Sequence, residues 1–268
     1  MTPRQAVPGL VASDLDGTLL RSDLTVSARS VAALDRLGKE GVEFVMVTGR
    51  PIRWLPAVLQ QTGVRGPVIC ANGAVIYDPD ADQILHAAGI PDGLVAEVVG
   101  SLRRELPDVV FAVEVDHGRA MLSETPWPSI ADDMQRRPVE HDELVATPAV
   151  KLLARRPGAD PGEFLADASK LLDGTAQVTS SSKQALVEIS ATGVTKASGM
   201  AWLASRSGVS ADHVLAFGDM PNDVPMLTWA GYGVAVANAH PAVLEVADVV
   251  TASNDEDGVA VHLEKLLG

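Results

Sequence analysis

The sequence has almost no cysteine. Cys70 is the single cysteine among 268 residues, which excludes internal disulfides and favours a reducing compartment such as the cytoplasm. Its neighbours Val68, Ile69 and Ala71 are apolar. This context indicates a buried core residue rather than a catalytic thiol.

Positive charge is also scarce. The chain carries 35 acidic side chains (Asp and Glu) against 21 basic ones (Lys and Arg), a net charge of -14. Nucleic acids and anionic membranes bind basic surfaces, so we expect neither as a partner. A small phosphorylated molecule would be repelled as well, unless a metal ion or local cations reverse the field near its site.

Long apolar segments are lacking too. No stretch reaches the length of a membrane span, and residues 1–8 are too short and polar for a signal peptide. We therefore expect a cytoplasmic protein. With 47% hydrophobic residues the chain can build a large core, either as one α/β domain or as a main domain with an insertion.

Apolar runs alternate with helix patterns at both ends of the chain. This alternation predicts an α/β fold with a doubly wound, mostly parallel sheet, a Rossmann-like core. The apolar runs and helices that carry the prediction span residues 10–12, 42–47, 67–71, 196–207, 214–217 and 258–267.

The middle of the chain has a different pattern. Between about residues 79 and 183 strands follow one another, and helices over 94–106 and 163–172 are grouped between them. Such grouping is typical of an α+β unit with an antiparallel sheet. The sequence therefore predicts a core domain of residues 1–78 and 184–268, with residues 79–183 as an inserted domain.

The most informative motif lies at the end of the first apolar run. Asp14 and Asp16 would leave the carboxyl end of a buried strand together, at the sheet edge where ligands bind in α/β folds. One carboxylate could attack phosphorus while the second moves a proton, and a magnesium ion would screen the phosphate charge. An ordinary Asp-Gly turn explains this segment equally well when it is taken alone, whereas a calcium loop fits it poorly.

Three further segments could contribute to the same site. Thr48 and Gly49 follow the second strand, where a hydroxyl and backbone N–H groups can hold phosphoryl oxygens. Lys196 lies in the first turn of a helix, where its positive charge interacts unfavourably with the helix dipole. An anion bound by its ammonium would offset this cost. Taken alone, the Thr-Gly segment is better explained as a plain connection between a strand and a helix, and Lys196 could be a solvated surface lysine.

The third segment, at residues 218–223, is a loop with two carboxylates and an amide. Asp219 is best placed to hold a cation, and Asn222 could bond the phosphate or the lysine. Asp223 could be a metal ligand, a support for Lys196 or a helix cap, and we favour support. Because acidic or hydroxyl groups follow three different strands, chance alone is a poor explanation for their positions.

Together these segments resemble the haloacid dehalogenase-like hydrolase superfamily. Asp-Leu-Asp-Gly-Thr at 14–18, Thr48, Lys196 and the 218–223 loop match its four motifs in order. The insertion between the second and third motifs resembles the C2B cap domain of the Cof-type branch. Asn-Gly-Ala at 72–74 and Asp-Gly-Val-Ala at 257–260 resemble that branch as well.

The resemblance implies a magnesium-dependent phosphatase that forms an aspartyl-phosphate. Asp14 would be the nucleophile and Asp16 the general acid/base. Thr48 and Lys196 would hold the phosphate, with Gly49 and Asn222 near the substrate. Mg²⁺ would be bound by the Asp14 carboxylate, the Asp16 backbone carbonyl and Asp219.

The expected partner is a small phosphorylated metabolite, with sugar phosphates first. A phosphomutase or a dedicated sugar-phosphate phosphatase of the same superfamily is the alternative within enzymes. A phospho-acceptor signalling domain would also use Asp, Thr, Lys and magnesium, but it has no use for Asp16 or for a cap of about a hundred residues. A binding protein without catalytic activity would not need a complete set of acid, base and metal-binding residues.

Overall fold

The computed structural model describes residues 8–128, 135–180 and 184–268. The strands are β1 (Leu10–Ser13), β2 (Glu43–Met46), β3 (Val68–Cys70), β4 (Val75–Asp78), β5 (Gln83–Ala87), β6 (Val110–Val115), β7 (Ala120–Ser123), β8 (Arg136–Pro138), β9 (Lys151–Arg155), β10 (Gln177–Thr179), β11 (Leu186–Ser190), β12 (Val214–Gly218), β13 (Tyr232–Ala235) and β14 (Val249–Val250). The helices are α1 (Ala28–Lys39), α2 (Pro56–Thr62), α3 (Leu94–Glu105), α4 (His141–Ala146), α5 (Pro161–Leu171), α6 (Lys196–Ser207), α7 (Val224–Trp229), α8 (Pro241–Leu244) and α9 (Gly258–Leu267). Among the described residues, no helix combines the length and apolarity that crossing a membrane requires.

The main sheet has the strand order β14-β13-β12-β1-β2, and its neighbouring strands are parallel. Alternate side chains along each strand point to opposite faces, so each face needs its own layer of helices. Val11 and Phe217 pack with α1 and α9 on one face, whereas Ala12 and Ala216 pack with α6 and α7 on the other. The predicted α/β fold with a doubly wound parallel sheet is confirmed.

Capping residues determine where the helix that carries Lys196 begins and ends. The Thr195 side chain accepts a hydrogen bond from the Ser198 N–H, and the Ser198 hydroxyl accepts one from the Thr195 N–H. This capping box satisfies two donors of the first turn, which lack partners inside the helix. Gly208 ends the helix in the left-handed conformation that glycine favours. Helix α6 therefore starts at Lys196, as the sequence pattern predicts.

The second sheet has the order β10-β11-β9-β6-β7-β8. Its pairings are antiparallel, as predicted, apart from the parallel pair β7 and β8. One face carries apolar residues such as Phe111, which pack against α3, α4 and α5. The opposite face bears charged residues at the alternate positions, including Glu114, Lys151 and Glu188.

Two strands pair with sheets on the other side of the predicted domain boundaries. Strand β11 belongs to the second sheet, although its residues follow the predicted boundary at 183, a residue that lies outside the described ranges. Strand β5 pairs with β4 in a small sheet of order β3-β4-β5, although it follows the boundary at 79. Strand β11 is placed by its pairing with β9, which is distant in sequence, whereas β5 forms a hairpin with β4, its neighbour in the chain.

The small sheet brings a tight turn against helix α6. Strand β3 continues the parallel arrangement through a bridge between Val47 and Ile69, and then turns back into β4 over Ala71–Gly73. Gly73 has a φ of +97°, and a Cβ atom placed there would lie 2.0 Å from the Thr195 carbonyl oxygen. Only a residue without a side chain allows this approach of backbone to backbone.

A pair of glycine substitutions tests this contact. Gly63 also has a positive φ, +63°, but a Cβ atom there would meet nothing within 4 Å. Gly63→Ala should therefore cost about 1 kcal/mol of unfolding free energy from backbone strain alone. Gly73→Ala should cost about 3 kcal/mol or more, because backbone atoms must also move apart. Urea unfolding measures both values, and equal losses would contradict the proposed contact.

Candidate active site

A buried lysine joins two carboxylates at the carboxyl edge of the main sheet. Asp14 follows β1, and Lys196 opens α6. The Lys196 ammonium donates hydrogen bonds to Asp14 Oδ1 at 2.6 Å and to Asp223 Oδ1 at 2.5 Å. Lys196 is only 1% exposed, so little water screens these contacts. Its placement in the first helical turn is thus explained by two anionic partners.

The loop after β12 supplies the other acidic groups. Asp223 Oδ2 accepts hydrogen bonds from the N–H groups of Asp219 and Met220, both at 3.0 Å. Both Asp223 oxygens are therefore used within the protein, the arrangement expected of a supporting residue. The Thr18 hydroxyl donates to Asp219 Oδ1 at 2.9 Å, which fixes the second carboxylate of the loop.

The three acidic side chains form a possible cation site. Asp14, Asp219 and Asp223 each place a carboxylate oxygen within 4.8 Å of the others, and all three are buried. Hard divalent cations prefer oxygen ligands of this kind. Three carboxylates against one ammonium leave two negative charges unbalanced, so the donor set fits a divalent cation.

The ionisation of these groups reflects burial and charge. Burial raises the pKa of the Asp14 carboxyl well above its usual value, and Lys196 acts in the opposite direction. Burial also raises the pKa of Asp219 to about 6, with a further contribution from Asp223. Burial acts to lower the pKa of Lys196, but Asp14 and Asp223 outweigh it and keep the ammonium charged.

Asp16, the predicted proton-transfer group, lies at the rim of this cluster. Its side chain is 45% exposed, and the Arg50 guanidinium donates to both carboxylate oxygens, at 2.7 Å and 2.5 Å. Such a bidentate contact fixes the plane of the Asp16 carboxylate. Arg50 is thus a residue of the site that was not predicted.

Thr48, Gly49 and Asn222 lie on the neighbouring loops. Thr48 is fully buried after β2, and its hydroxyl accepts a hydrogen bond from the Arg50 N–H at 3.0 Å. Asn222 is buried as well. Its Nδ2 donates to Asn72 Oδ1 at 3.1 Å, and its Oδ1 has no hydrogen-bond partner. Asn222 therefore bonds Asn72, and not the lysine, in this structure.

Two residues of the second sheet reach the same loops and were missed. The Lys151 ammonium donates to the Gly49 carbonyl oxygen at 2.6 Å and to Glu188 Oε2 at 3.0 Å. Glu188 also accepts a hydrogen bond from Asn72 Nδ2. A signal was available in the sequence, because each charge interrupts an apolar strand, in Val-Lys-Leu at 150–152 and Val-Glu-Ile at 187–189.

Comparisons with known proteins show the family to which the chain belongs. The family model described as haloacid dehalogenase-like hydrolase matches residues 11–263. A 5-amino-6-(5-phospho-D-ribitylamino)uracil phosphatase from Bacillus subtilis is 30% identical, over 96% of this chain and 97% of its own length. A pyridoxal phosphate phosphatase from Escherichia coli is 29% identical, over 94% of this chain and 96% of its own.

The fold is also similar to that of a solved structure. A haloacid dehalogenase-like hydrolase from Bacillus subtilis superposes with a TM-score of 0.82 at 26% sequence identity. The match covers 96% of this chain and 99% of the solved one. The similarity therefore includes the second sheet as well as the main sheet.

Cation binding should depend on pH through Asp219. With its folded pKa raised to about 6, Asp219 stabilises the cation-free fold most below the ordinary value of 3.8. That contribution is lost as the pH rises through about 6, where the carboxylate forms. A divalent cation, added as magnesium chloride, should therefore raise the melting temperature more at about pH 7.5 than at about pH 5.

The same measurement on Asp219→Asn is the control. An amide does not titrate, so this variant should show a small cation effect at both pH values. A larger cation effect at the lower pH in the unmodified protein would contradict the assignment.

Proposed function

Because the chain belongs to the haloacid dehalogenase-like hydrolase family, we propose that it is a magnesium-dependent phosphatase of small phosphorylated metabolites, sugar phosphates first. The observation that carries the proposal is the Lys196 ammonium bound between Asp14 and Asp223, beside Asp219. The ammonium holds the Asp14 carboxylate after the end of β1, next to carboxylate oxygens that could bind a cation. The reducing cytoplasm is the expected location.

Magnesium is the proposed cation, held by the Asp14 and Asp219 carboxylates and the Asp16 backbone carbonyl. The donor set is made of oxygen atoms and carries the charge that such an ion needs. When bound, Mg²⁺ would neutralise charge on the phosphoryl oxygens and so allow a carboxylate to approach. We assign Asp223 to the support of Lys196 and of the loop.

Asp14 is the proposed nucleophile. Its carboxylate oxygen attacks phosphorus, the bond from phosphorus to the ester oxygen breaks, and an aspartyl-phosphate forms. Lys196 lies against the same carboxylate, so it orients Asp14 and can bind a phosphoryl oxygen. Thr48, Gly49 and Asn222 are the further proposed contacts to the phosphoryl group and substrate.

Asp16 is the proposed general acid and base. It gives its proton to the leaving ester oxygen, and it later takes a proton from the water that attacks the aspartyl-phosphate. That second attack releases inorganic phosphate and restores the Asp14 carboxylate. Since Arg50 holds both Asp16 oxygens, one of them must turn toward the substrate for this role.

We propose that the second sheet and its helices act as a cap over the site. Direct contacts support this: Lys151 bonds the Gly49 carbonyl, and Glu114 forms a buried ion pair with Arg53 of the segment after Arg50. A closed cap would exclude water and contact the leaving group. The cap would then determine which phosphate esters are hydrolysed.

The substrate class rests on the relatives. The Bacillus subtilis relative is named for a phosphoribityl compound and the Escherichia coli relative for pyridoxal phosphate, and both are small phosphate monoesters. We propose the same class for this chain. A panel of phosphorylated metabolites assayed with magnesium identifies the preferred ester, and the absence of phosphate release from every member would refute the proposed activity.

Replacing Asp14 tests the nucleophile. Asp14→Asn should abolish turnover, because an amide cannot form the acyl-phosphate. The exposed Asp92→Asn is a matched control and should retain activity. Steady-state hydrolysis of p-nitrophenyl phosphate measures both. If Asp14→Asn stays within about tenfold of the unmodified protein, a barrier change of only ~1.4 kcal/mol, Asp14 does not have this role.

Replacing Asp16 tests proton transfer. Asp16→Asn should slow the hydrolysis of a sugar phosphate by roughly 10²- to 10⁴-fold. The rate of phospho-enzyme formation from p-nitrophenyl phosphate should fall less, since the leaving group of this ester needs no proton. Rapid-quench measurement of the first turnover compares the two substrates. The same loss with both would rule out Asp16 as the proton donor to the leaving group.

A further inference from the structure

Lys151 and Glu188 form a buried ion pair on the second sheet. They lie on the neighbouring strands β9 and β11, and their side chains are 3% and 7% exposed. Burying two charges is costly, and a hydrophobic pair of similar size often stabilises a protein equally well or better. The position of this pair therefore points to a role other than stability.

The pair contacts two loops of the candidate site. Lys151 donates to the carbonyl oxygen of Gly49, which directly follows Thr48. Glu188 accepts from Asn72 Nδ2, and Asn72 Oδ1 accepts from Asn222 Nδ2. One ion pair thus reaches the loop after β2 and, through Asn72, the loop after β12.

The charge of Glu188 sets the direction of this chain of amides. A carboxylate only accepts hydrogen bonds, so Asn72 must turn its NH₂ group toward Glu188. The carbonyl oxygen of Asn72 then faces Asn222, which must donate a hydrogen bond from its own NH₂ group. Asn222 Oδ1 is left as a buried acceptor without a partner, next in the chain to Asp223.

We propose that Lys151 and Glu188 are positioning residues of the phosphate site. Lys151 fixes the Thr48-Gly49 backbone, and Glu188 fixes the orientation of the Asn222 amide through Asn72. This inference rests on the proposed function for the identity of the ligand. It adds that the second sheet determines how tightly the main domain binds the phosphoryl group itself, before any contact with the leaving group.

The test measures phosphate affinity in three variants. Lys151→Met, Glu188→Gln and the double variant should each raise the inhibition constant of inorganic phosphate and the KM for p-nitrophenyl phosphate together, by about tenfold. The value of kcat should fall less. Because the two residues act as a unit, the double variant should lose no more affinity than either single variant.

Arg156→Met is the matched control. It removes an ion pair with Asp108, at 3.0 Å, that belongs to the same part of the chain but is partly exposed. This variant should leave the inhibition constant of phosphate unchanged. A role in stability alone would lower the melting temperature of the Lys151 and Glu188 variants without changing the phosphate affinity of the folded protein.

A double variant whose inhibition constant for phosphate lies within about twofold of that of the unmodified protein would overturn the inference. Since the double variant removes both charges of the pair, it answers the question even if Lys151→Met does not fold. Calorimetry of phosphate binding with magnesium separates the two proposals. If the unmodified protein binds phosphate but hydrolyses no ester, the proposed function fails and the affinities of the variants still decide the positioning role.

Discussion

The candidate site depends on one contact, between the buried ammonium of Lys196 and the carboxylates of Asp14 and Asp223. These three residues come from the end of β1, the start of α6 and the loop after β12. A lysine in the first turn of a helix is opposed by the helix dipole, and its burial adds a desolvation cost. The two carboxylates offset both effects. Conversely, without the lysine they would repel each other in a poorly screened environment.

The same contact explains how an acidic chain could attract a phosphate. The net charge of -14 repels anions at long range, and the site itself holds more carboxylates than ammonium groups. The excess is local and is made of oxygen ligands, so a divalent cation bound there would balance the two excess negative charges. Acidity of the whole chain and affinity for a phosphate ester are therefore compatible.

The sequence predicted elements that follow from local rules. Helix α6 and helix α9 have the predicted bounds, because capping residues and glycines mark them. The rule that parallel strands end at one edge predicted that the ends of β1, β2 and β12 would meet, and the structure places them side by side. Strands β5 and β8 were not predicted. Their sequences, Gln-Ile-Leu-His-Ala and Arg-Arg-Pro, contain polar residues that weaken the apolar pattern of a strand.

The positions of Lys151 and Glu188 were not predictable in the same way. Each belongs to a sheet other than the one that carries Asp14, and no local pattern specifies how one sheet is placed on another. The sequence shows only that a charge interrupts an apolar strand. A charge at such a position needs a partner, and the structure supplies partners on the Gly49 and Asn72 loops.

Buried charges have a particular use where one sheet packs on another part of the protein. Apolar surfaces pack in many relative orientations, because their attraction has no direction. An ammonium that must reach one carbonyl oxygen, and a carboxylate that must reach one amide, permit far fewer. The contacts of Lys151 with the Gly49 carbonyl, of Glu188 with Asn72 and of Glu114 with Arg53 therefore restrict the orientation of the second sheet more than its apolar residues can.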